Sequence, residues 1–419
     1  MYRQVMRPLP ALLVALVLVA ATVVPVAAVP ATRERTQSAS GTLPSITTIN
    51  NTTNQLTVPD SEVSQSNYSQ MDVDVGTAVR TGSAQLHERH ESLSFEEQFQ
   101  RTESNAARSR LIDAQITAVE TQQAALDARQ DTAMSRFADG EIAAADFLRV
   151  RMIVNAEATE LLSTVERIRS ATDSTPSYTL SREATTRLRS VEGELQALDG
   201  PVGTRLHADA SSGNHQPVYL EVSADGYMLA TIEDDEYLRE TRLDDARDAT
   251  LTDQFLATAR NDSNTNRFAV ADQRASELYT WLYERQRPSF TYYGDSGIYE
   301  LTASHPNGQL TAYMDAGTTD VFYEEQSRNL GSVETTASET SVNESLRVTV
   351  QRTVESGPLL VSTSNNITDE GTDANVTING RPVGSTGSDG FLWTVEPSGD
   401  YTLNATAAGT RTALNVTDA

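Results

Sequence analysis

Between Phe95 and Ile168 apolar residues recur at three-, four- and seven-residue spacings, and this pattern leaves the backbone little choice. Phe95, Phe99, Ile112, Ile116, Val119, Leu126, Ala133 and Phe137 mark one helical stripe; Phe147, Val150, Val154, Leu161, Val165 and Ile168 mark a second. Ser94 and Glu97 have the spacing of a capping box that would start the first helix. Asp139-Gly140 stops it, and the second helix ends before Pro176. Two long amphipathic helices joined by so short a turn predict an antiparallel helical hairpin over 81–176, a rod of ~60 Å. Gln123 and Gln130 fall in its seam, which is therefore either imperfect or open to a third helix.

Residues 177–330 read as a duplication. A helix over Ser181–Leu198 is followed by Pro201, a short strand at Thr204–His207, and a hairpin of Val218–Ser223 and Tyr227–Ile232 around Asp225-Gly226. The second copy runs from a helix at Ala269–Arg287 through Pro288 and a strand at Phe290–Tyr293. It ends in a hairpin of Tyr299–Ala303 and Gln309–Met314 around Asn307-Gly308. Each copy closes on an acidic, aromatic stretch, at 235–240 and 321–325. Two helix-plus-hairpin units sharing one antiparallel sheet would solve the thin core that one unit alone would have.

A Ser/Thr/Glu-rich linker over 331–344 leads into short alternating segments at 346–354, 359–363, 375–378, 391–395, 401–405 and 411–416, separated by Gly, Pro, Asn and Asp. Such punctuation predicts a β-sandwich over 345–419. The fold class is thus multidomain α+β: a long helical hairpin, a duplicated helix-plus-antiparallel-hairpin module and a C-terminal all-β sandwich. Ahead of these lies a polar lead-in, 32–80, expected to be flexible and to end in a short strand at Met71–Val75.

Two resemblances follow. Asn379-Gly380-Arg381-Pro382-Val383, Thr386-Gly387-Ser388-Asp389-Gly390-Phe391 and Gly399-Asp400-Tyr401-Thr402-Leu403 resemble the carboxypeptidase-regulatory, transthyretin-like sandwich modules. That resemblance implies a non-catalytic spacer or adhesive fold. Leu56-Thr57-Val58-Pro59-Asp60, Asp72-Val73-Asp74-Val75-Gly76 and Phe137-Ala138-Asp139-Gly140-Glu141-Ile142 are similar to an uncharacterised family of secreted haloarchaeal proteins, over about residues 44–330. It implies a compartment and a source, and no mechanism.

Composition points the same way. Acidic residues number 58 against 32 basic ones, every basic residue is Arg with no Lys, and the net charge is -26. In dilute buffer that charge repels itself, whereas at ~1 M salt the Debye length falls to ~3 Å and distant charges are screened. Residues 1–31 have the form of a signal peptide: Arg3 and Arg7, an apolar run from Leu9 to Val24, then small residues, with cleavage expected after Ala28 or Ala31. An uncleaved anchor is the alternative, because the apolar run approaches the length of a spanning helix. The chain has no Cys, so neither a lipidated cysteine nor a disulfide framework is available, and residues 414–419 are polar.

Catalytic signatures are missing. His87-Glu88-Arg89-His90-Glu91 has its second His at the wrong spacing for a zinc protease helix, and His207, His215 and His305 are isolated. The acidic runs Asp234-Asp235-Glu236 and Asp369-Glu370-Gly371-Thr372-Asp373 do not match a calcium-binding loop and read as solvated surface. No catalytic, metal or cofactor residue is assigned. Nine Asn-x-Ser/Thr sequons, at Asn50, Asn51, Asn67, Asn261, Asn343, Asn366, Asn375, Asn404 and Asn415, make partial N-glycosylation an expectation.

The sequence therefore predicts a secreted or cell-envelope, non-enzymatic protein of a halophilic archaeon. It would meet envelope proteins or glycans rather than nucleic acid, and touch membrane only through an uncleaved signal. The alternative is an extracellular hydrolase, or a regulator or substrate-holding partner of one, acting on peptides or glycans. A cleft between the two copies lined by Tyr227, Tyr237, Trp281 and Tyr323 would favour that alternative; the same rings packed against helices would favour the first.

Overall fold

The computed structural model describes residues 46–48, 54–70, 93–212, 216–262, 264–335, 337–354 and 356–417. The signal segment, the 71–75 strand and the His87–Glu91 run lie outside them.

The first helical stripe is split. A helix over 93–101 (α1) ends at 102–104, and α2 (Asn105–Ala138) begins afresh. Ser94 lies inside α1, where its Oγ accepts from Gln98 Nε2 at 2.9 Å, so the expected capping box is a contact within one helical turn. The stop after α2 is as expected. Gly140 takes φ +74°, Glu141 N donates to Arg136 O and Gly140 N to Phe137 O, the paired bonds that close a Schellman turn. α3 (Ala144–Asp173) then returns antiparallel.

The hairpin is not a free rod. α3 is buried on two faces, because Val154, Ala158, Leu161, Val165 and Ile168 pack with α2 and with α4 (Arg182–Gln196), while Phe147, Leu148 and Met152 pack on a sheet. Ser181 caps α4 as a side-chain acceptor for Ala184 N. The segment expected as a strand at 204–207 is instead α5 (Pro201–Ser212), with Pro201 as its first helical residue, a position where the missing N–H costs nothing.

The sheet has eight antiparallel strands in the order β3-β4-β5-β6-β10-β9-β8-β7. One meander comprises β3 (Gln65–Ser69), β4 (Val218–Val222), β5 (Gly226–Glu233) and β6 (Glu236–Leu243). Its counterpart comprises β7 (Ser289–Tyr292), β8 (Ile298–His305), β9 (Gly308–Asp315) and β10 (Val321–Asn329). The duplication therefore holds, with three corrections. The outer strand of the first copy comes from the polar lead-in, which is anchored there and in the β1–β2 hairpin (Ile46–Thr48, Asn54–Leu56), where Asn54, Gln55 and Leu56 are buried. The helices also lie on opposite faces. Register places Tyr227, Arg242, Tyr323 and Tyr313 beneath α2–α5, and Met228, Thr241, Glu324, Ala312 and Leu301 on the other face, with α7 (Arg267–Leu278) and α8 (Thr280–Tyr283). The second helix is also broken at Tyr279, and α6 (Gln254–Asn261) precedes it. The Asn-Gly hairpin uses a Gly308 φ of +154°. At Asp225-Gly226 neither residue takes a positive φ, and Gly226 is needed because a Cβ would lie 2.8 Å from Arg242 O.

The supposed linker is mostly a strand. β11 (Ala337–Asn343), β12 (Leu346–Arg352), β13 (Pro358–Asn365) and β16 (Phe391–Val395) form one sheet of the sandwich; β15 (Arg381–Ser385), β14 (Asn375–Ile378), β17 (Tyr401–Ala407) and β18 (Thr410–Val416) form the other. β11 and β15 escape the apolar alternation because both are edge strands, polar in one case and carrying Pro382 in the other. Asn379 (φ +49°) and Gly380 (φ +78°) turn the β14–β15 hairpin.

The sandwich is docked on the sheet. Tyr68 Oη donates to Val395 O at 2.6 Å and Tyr237 Oη to Ser356 O at 2.6 Å. Tyr219 Oη donates to Glu221 and accepts from Ser398 N at 3.0 Å. Tyr219→Phe should keep the ring packing and leave these polar groups unpaired, lowering unfolding free energy by about 1–3 kcal/mol. Urea titration measures the loss.

Candidate functional site

Cross-strand pairing at the middle of the sheet sets Glu240 of β6 directly opposite Glu325 of β10. Like charges so placed repel, and the helical layer answers them. Arg151 of α3, fully buried, donates from Nη2 and Nε to Glu240 Oε1 at 2.8 and 3.2 Å, and from Nη1 to Gln130 Oε1 at 2.8 Å. Gln130, which with Gln123 made the seam read as imperfect or open to a third helix, is thus a ligand of that guanidinium, and α4 is the third helix. Glu240 Oε2 takes the backbone N–H of Val202 and Gly203 at the start of α5, at 3.2 and 3.4 Å, where the helix dipole favours negative charge. Gly200 permits the approach, since a Cβ there would lie 2.1 Å from Glu240 Oε2 and 2.3 Å from Tyr323 Oη. Burial, reinforced by Glu240 and Asp199, pushes the Glu325 carboxyl well above the usual range and so toward its neutral form.

Beside this cluster Arg242 donates to Asp244 at 2.6 Å, to Asp127 at 2.9 Å and to Ala197 O at 3.2 Å. Arg242, Asp244 and Asp127 line an open cleft of about 460 Å³ that also takes in Asp131, Glu194 and Arg247. Asp131 is raised to about 6 by partial burial and then by Asp244 and Asp127, with which it shares the cleft. A larger cleft, about 730 Å³, opens at the sheet edge formed by β7. Arg189, Arg267, Phe268, Phe290, Tyr292 and Tyr293 line it; Arg267 lies over the Tyr292 ring at 4.7 Å, and Phe268 is 43 % exposed.

The rings chosen from sequence are packed away. Tyr227, Tyr237 and Tyr323 are fully buried and Trp281 nearly so. Tyr227 packs edge-on against Phe147 and under Arg151, Tyr323 against Tyr313, and Trp281 against His305. No cleft opens between them. His305 closes the β8–β9 turn, accepting from Asn307 N at 3.3 Å. Asp234 (φ +50°) sits in the β5–β6 turn, and Asp369 (φ +63°) pairs with Arg347. Among the described residues no three His, Asp or Glu side chains converge as metal ligands, and no helix is long and apolar enough to cross a membrane. Of the sequons, Asn50 and Asn51 lie outside the described residues; Asn261, Asn343, Asn375 and Asn415 are exposed; and Asn67 and Asn366 are half-buried. Asn404 is buried and its Oδ1 accepts from Arg411 at 2.8 and 3.0 Å, so the folded chain cannot present it as a glycan acceptor. Sequence reasoning missed Arg151, Glu240 and Arg242: Arg151 and Glu240 are 89 residues apart and an Arg inside a helical stripe reads as solvated, while the cleft around Arg242 depends on Asp127, 115 residues away on α2.

Arg151→Met would leave Glu240 buried without its cation, at an expected cost of about 3–5 kcal/mol. Adding Glu240→Gln should recover part of it, which a double-mutant cycle by urea unfolding reads directly. For Asp131, a folded value above the ordinary 3.8 means that the folded state holds the proton more tightly. Its contribution therefore falls as pH rises from about 4 to about 6 and is level above that. Asp131→Asn should remove this slope from a plot of melting temperature against pH.

Three family models match the chain in succession. Residues 6–216 match a domain of unknown function, DUF7096; residues 218–334 match a family of unknown function, DUF7094; and residues 337–414 match an archaeal fibronectin-III type-like domain. The boundaries fall at the start of β4 and at β11, so the second region takes the outer strand of its sheet, β3, from the first. No curated protein and no solved structure matches the chain. The first model covers half of the sequence, from 6 to 216, and the chain accordingly belongs to the DUF7096 family, with a DUF7094 region and an archaeal fibronectin-III type-like sandwich following it.

Proposed function

We propose that this is an exported, cell-surface protein of a halophilic archaeon that acts by contact rather than by catalysis. The observation that carries this reading is the filling of the sheet junction: Glu240 is engaged by Arg151 and backbone amides and Asp244 by Arg242, burial drives Glu325 toward its neutral form, and the aromatic rings are core. What remains for partners is the outer surface, above all the aromatic and arginine-lined cleft at β7, which suits envelope proteins or glycans. The docked sandwich accords with a spacer or adhesive role, as does the resemblance of its turn residues to transthyretin-like modules. The apolar segment after Arg7 and the net charge of -26 support export and a saline setting.

A hydrolase or hydrolase-regulating role is the second reading, favoured by the Asp131–Asp244 carboxyl pair in its open cleft. Peptide or glycan turnover abolished by Asp131→Asn would establish it in place of the first.

Cell fractionation with N-terminal sequencing tests the main proposal. The mature chain is expected in the medium or envelope fraction, starting at Val29 or Thr32; a cytoplasmic chain beginning at Met1 would refute export. Circular dichroism should show loss of structure on dilution from molar salt. Peptide mass mapping should find glycans only on exposed sequons, with Asn404 bare.

A further inference from the structure

On the sheet face that carries α7, α8 and the sandwich, two arginines lie on adjoining antiparallel strands. Arg239 of β6 is opposite Gln326, and Arg328 of β10 is opposite Tyr237, which makes the two arginines diagonal neighbours within reach of each other's long side chains. They are 1 % and 0 % exposed. Their hydrogen bonding is incomplete in one direction. Arg328 Nε and Nη2 donate to Gln326 Oε1 at 3.0 and 2.6 Å, and Nη2 also donates to Gln55 Oε1 at 2.9 Å; these acceptors are neutral amides. Arg328 Nη1 is buried without an acceptor, as are Nε and Nη1 of Arg239.

One carboxylate serves both cations. Glu324 Oε1 lies 3.7 Å from Arg239 Nη1, beyond hydrogen-bonding distance, and its oxygens are taken by Leu56 N at 3.0 Å, Gln326 Nε2 at 2.7 Å and Tyr279 Oη at 2.6 Å. Glu221, on the same face two strands away, accepts from Tyr219 and Ser356. Burial, with Arg239 acting in the same direction against Tyr237 and Glu324, brings Arg328 down to about 10. Burial and the Arg328 charge bring His305 down to about 4, so it is neutral. Its Nδ1 accepts from Asn307, which leaves the hydrogen on Nε2, buried and without an acceptor. Trp281, edge-on to His305 at 5.6 Å, has its Nε1–H buried without an acceptor too.

Apart from the Thr241 hydroxyl, which can donate or accept, every unmatched group in this cluster is a donor, and the two guanidiniums share one carboxylate. A water molecule would bring hydrogens of its own and no charge. A buried cation without a counter-charge costs several kcal/mol, and a small anion removes both deficits at once. We propose that the Arg239–Arg328 pair holds a buried monovalent anion of chloride size, which ties β6 and β10 to the β1–β2 hairpin.

Crystals of the full chain grown in bromide test this directly. An anomalous peak within hydrogen-bonding reach of Arg328 Nη1 or Arg239 is expected; density without anomalous signal there would overturn the proposal. In solution, melting should be several degrees lower in sodium gluconate, whose anion is too large to be buried, than in sodium chloride of equal ionic strength. Arg328→Met should abolish that difference. Trp281→Phe, which removes one donor and keeps both guanidiniums, should reduce it and covers the case in which the first variant does not fold. An equal chloride effect in the wild type and the variants that fold would refute the site.

Discussion

Glu240 and Glu325 face each other where the two halves of the sheet meet, and the fold is arranged around making that pairing tolerable. Two ionised carboxylates there would repel across one strand spacing in a low-dielectric interior. The chain treats them differently. Glu240 receives Arg151 from α3 and two amides from the start of α5, whereas burial drives Glu325 toward its neutral acid. Glycine is needed at 200 and 203 because the α4–α5 junction must come close: a Cβ at Gly203 would lie 2.3 Å from Asn155 Oδ1. The pairing of β6 with β10 thus decides where the helical hairpin sits.

From that joint the layers follow. The helical layer covers one face of the sheet, and α7, α8 and the sandwich cover the other, so apolar residues of the second half and of the sandwich belong to one continuous core. A fibronectin-III type-like module at the end of a chain is easily imagined as a bead on a string. Here Tyr68, Tyr219 and Tyr237 bond to its backbone, and it extends the second face of the sheet.

The acidic excess belongs to the surface, and the arginines do much of the interior work. Arg151, Arg239, Arg242 and Arg328 are all buried. A guanidinium, with five donors in a planar fork, can join a carboxylate, an amide and a backbone carbonyl at once, as Arg151 does with Glu240, Gln130 and Leu198 O. A lysine would offer three donors on one atom and would shed its proton more readily when buried, which gives the absence of Lys a structural side as well as a surface one.

Sequence alone determined what depends on neighbours in the chain: the two long helices from their apolar spacing, their stop at Gly140, the hairpin turns, the duplication, and the alternating strands of the sandwich. These are set by local periodicity and by backbone angles that few residues can adopt. The edge strands β3, β11 and β15 were illegible because they bury one side chain each, Tyr68 and Val383, or none in β11, which is too little to impose apolar alternation. Tertiary structure decided the rest: which face each helix covers, the capture of β3 by β4, the docking of the sandwich, and the Arg151–Glu240 pair. The last joins residues 89 apart, and no spacing records it, because an ion pair across layers is specified only by the packing that brings its partners together.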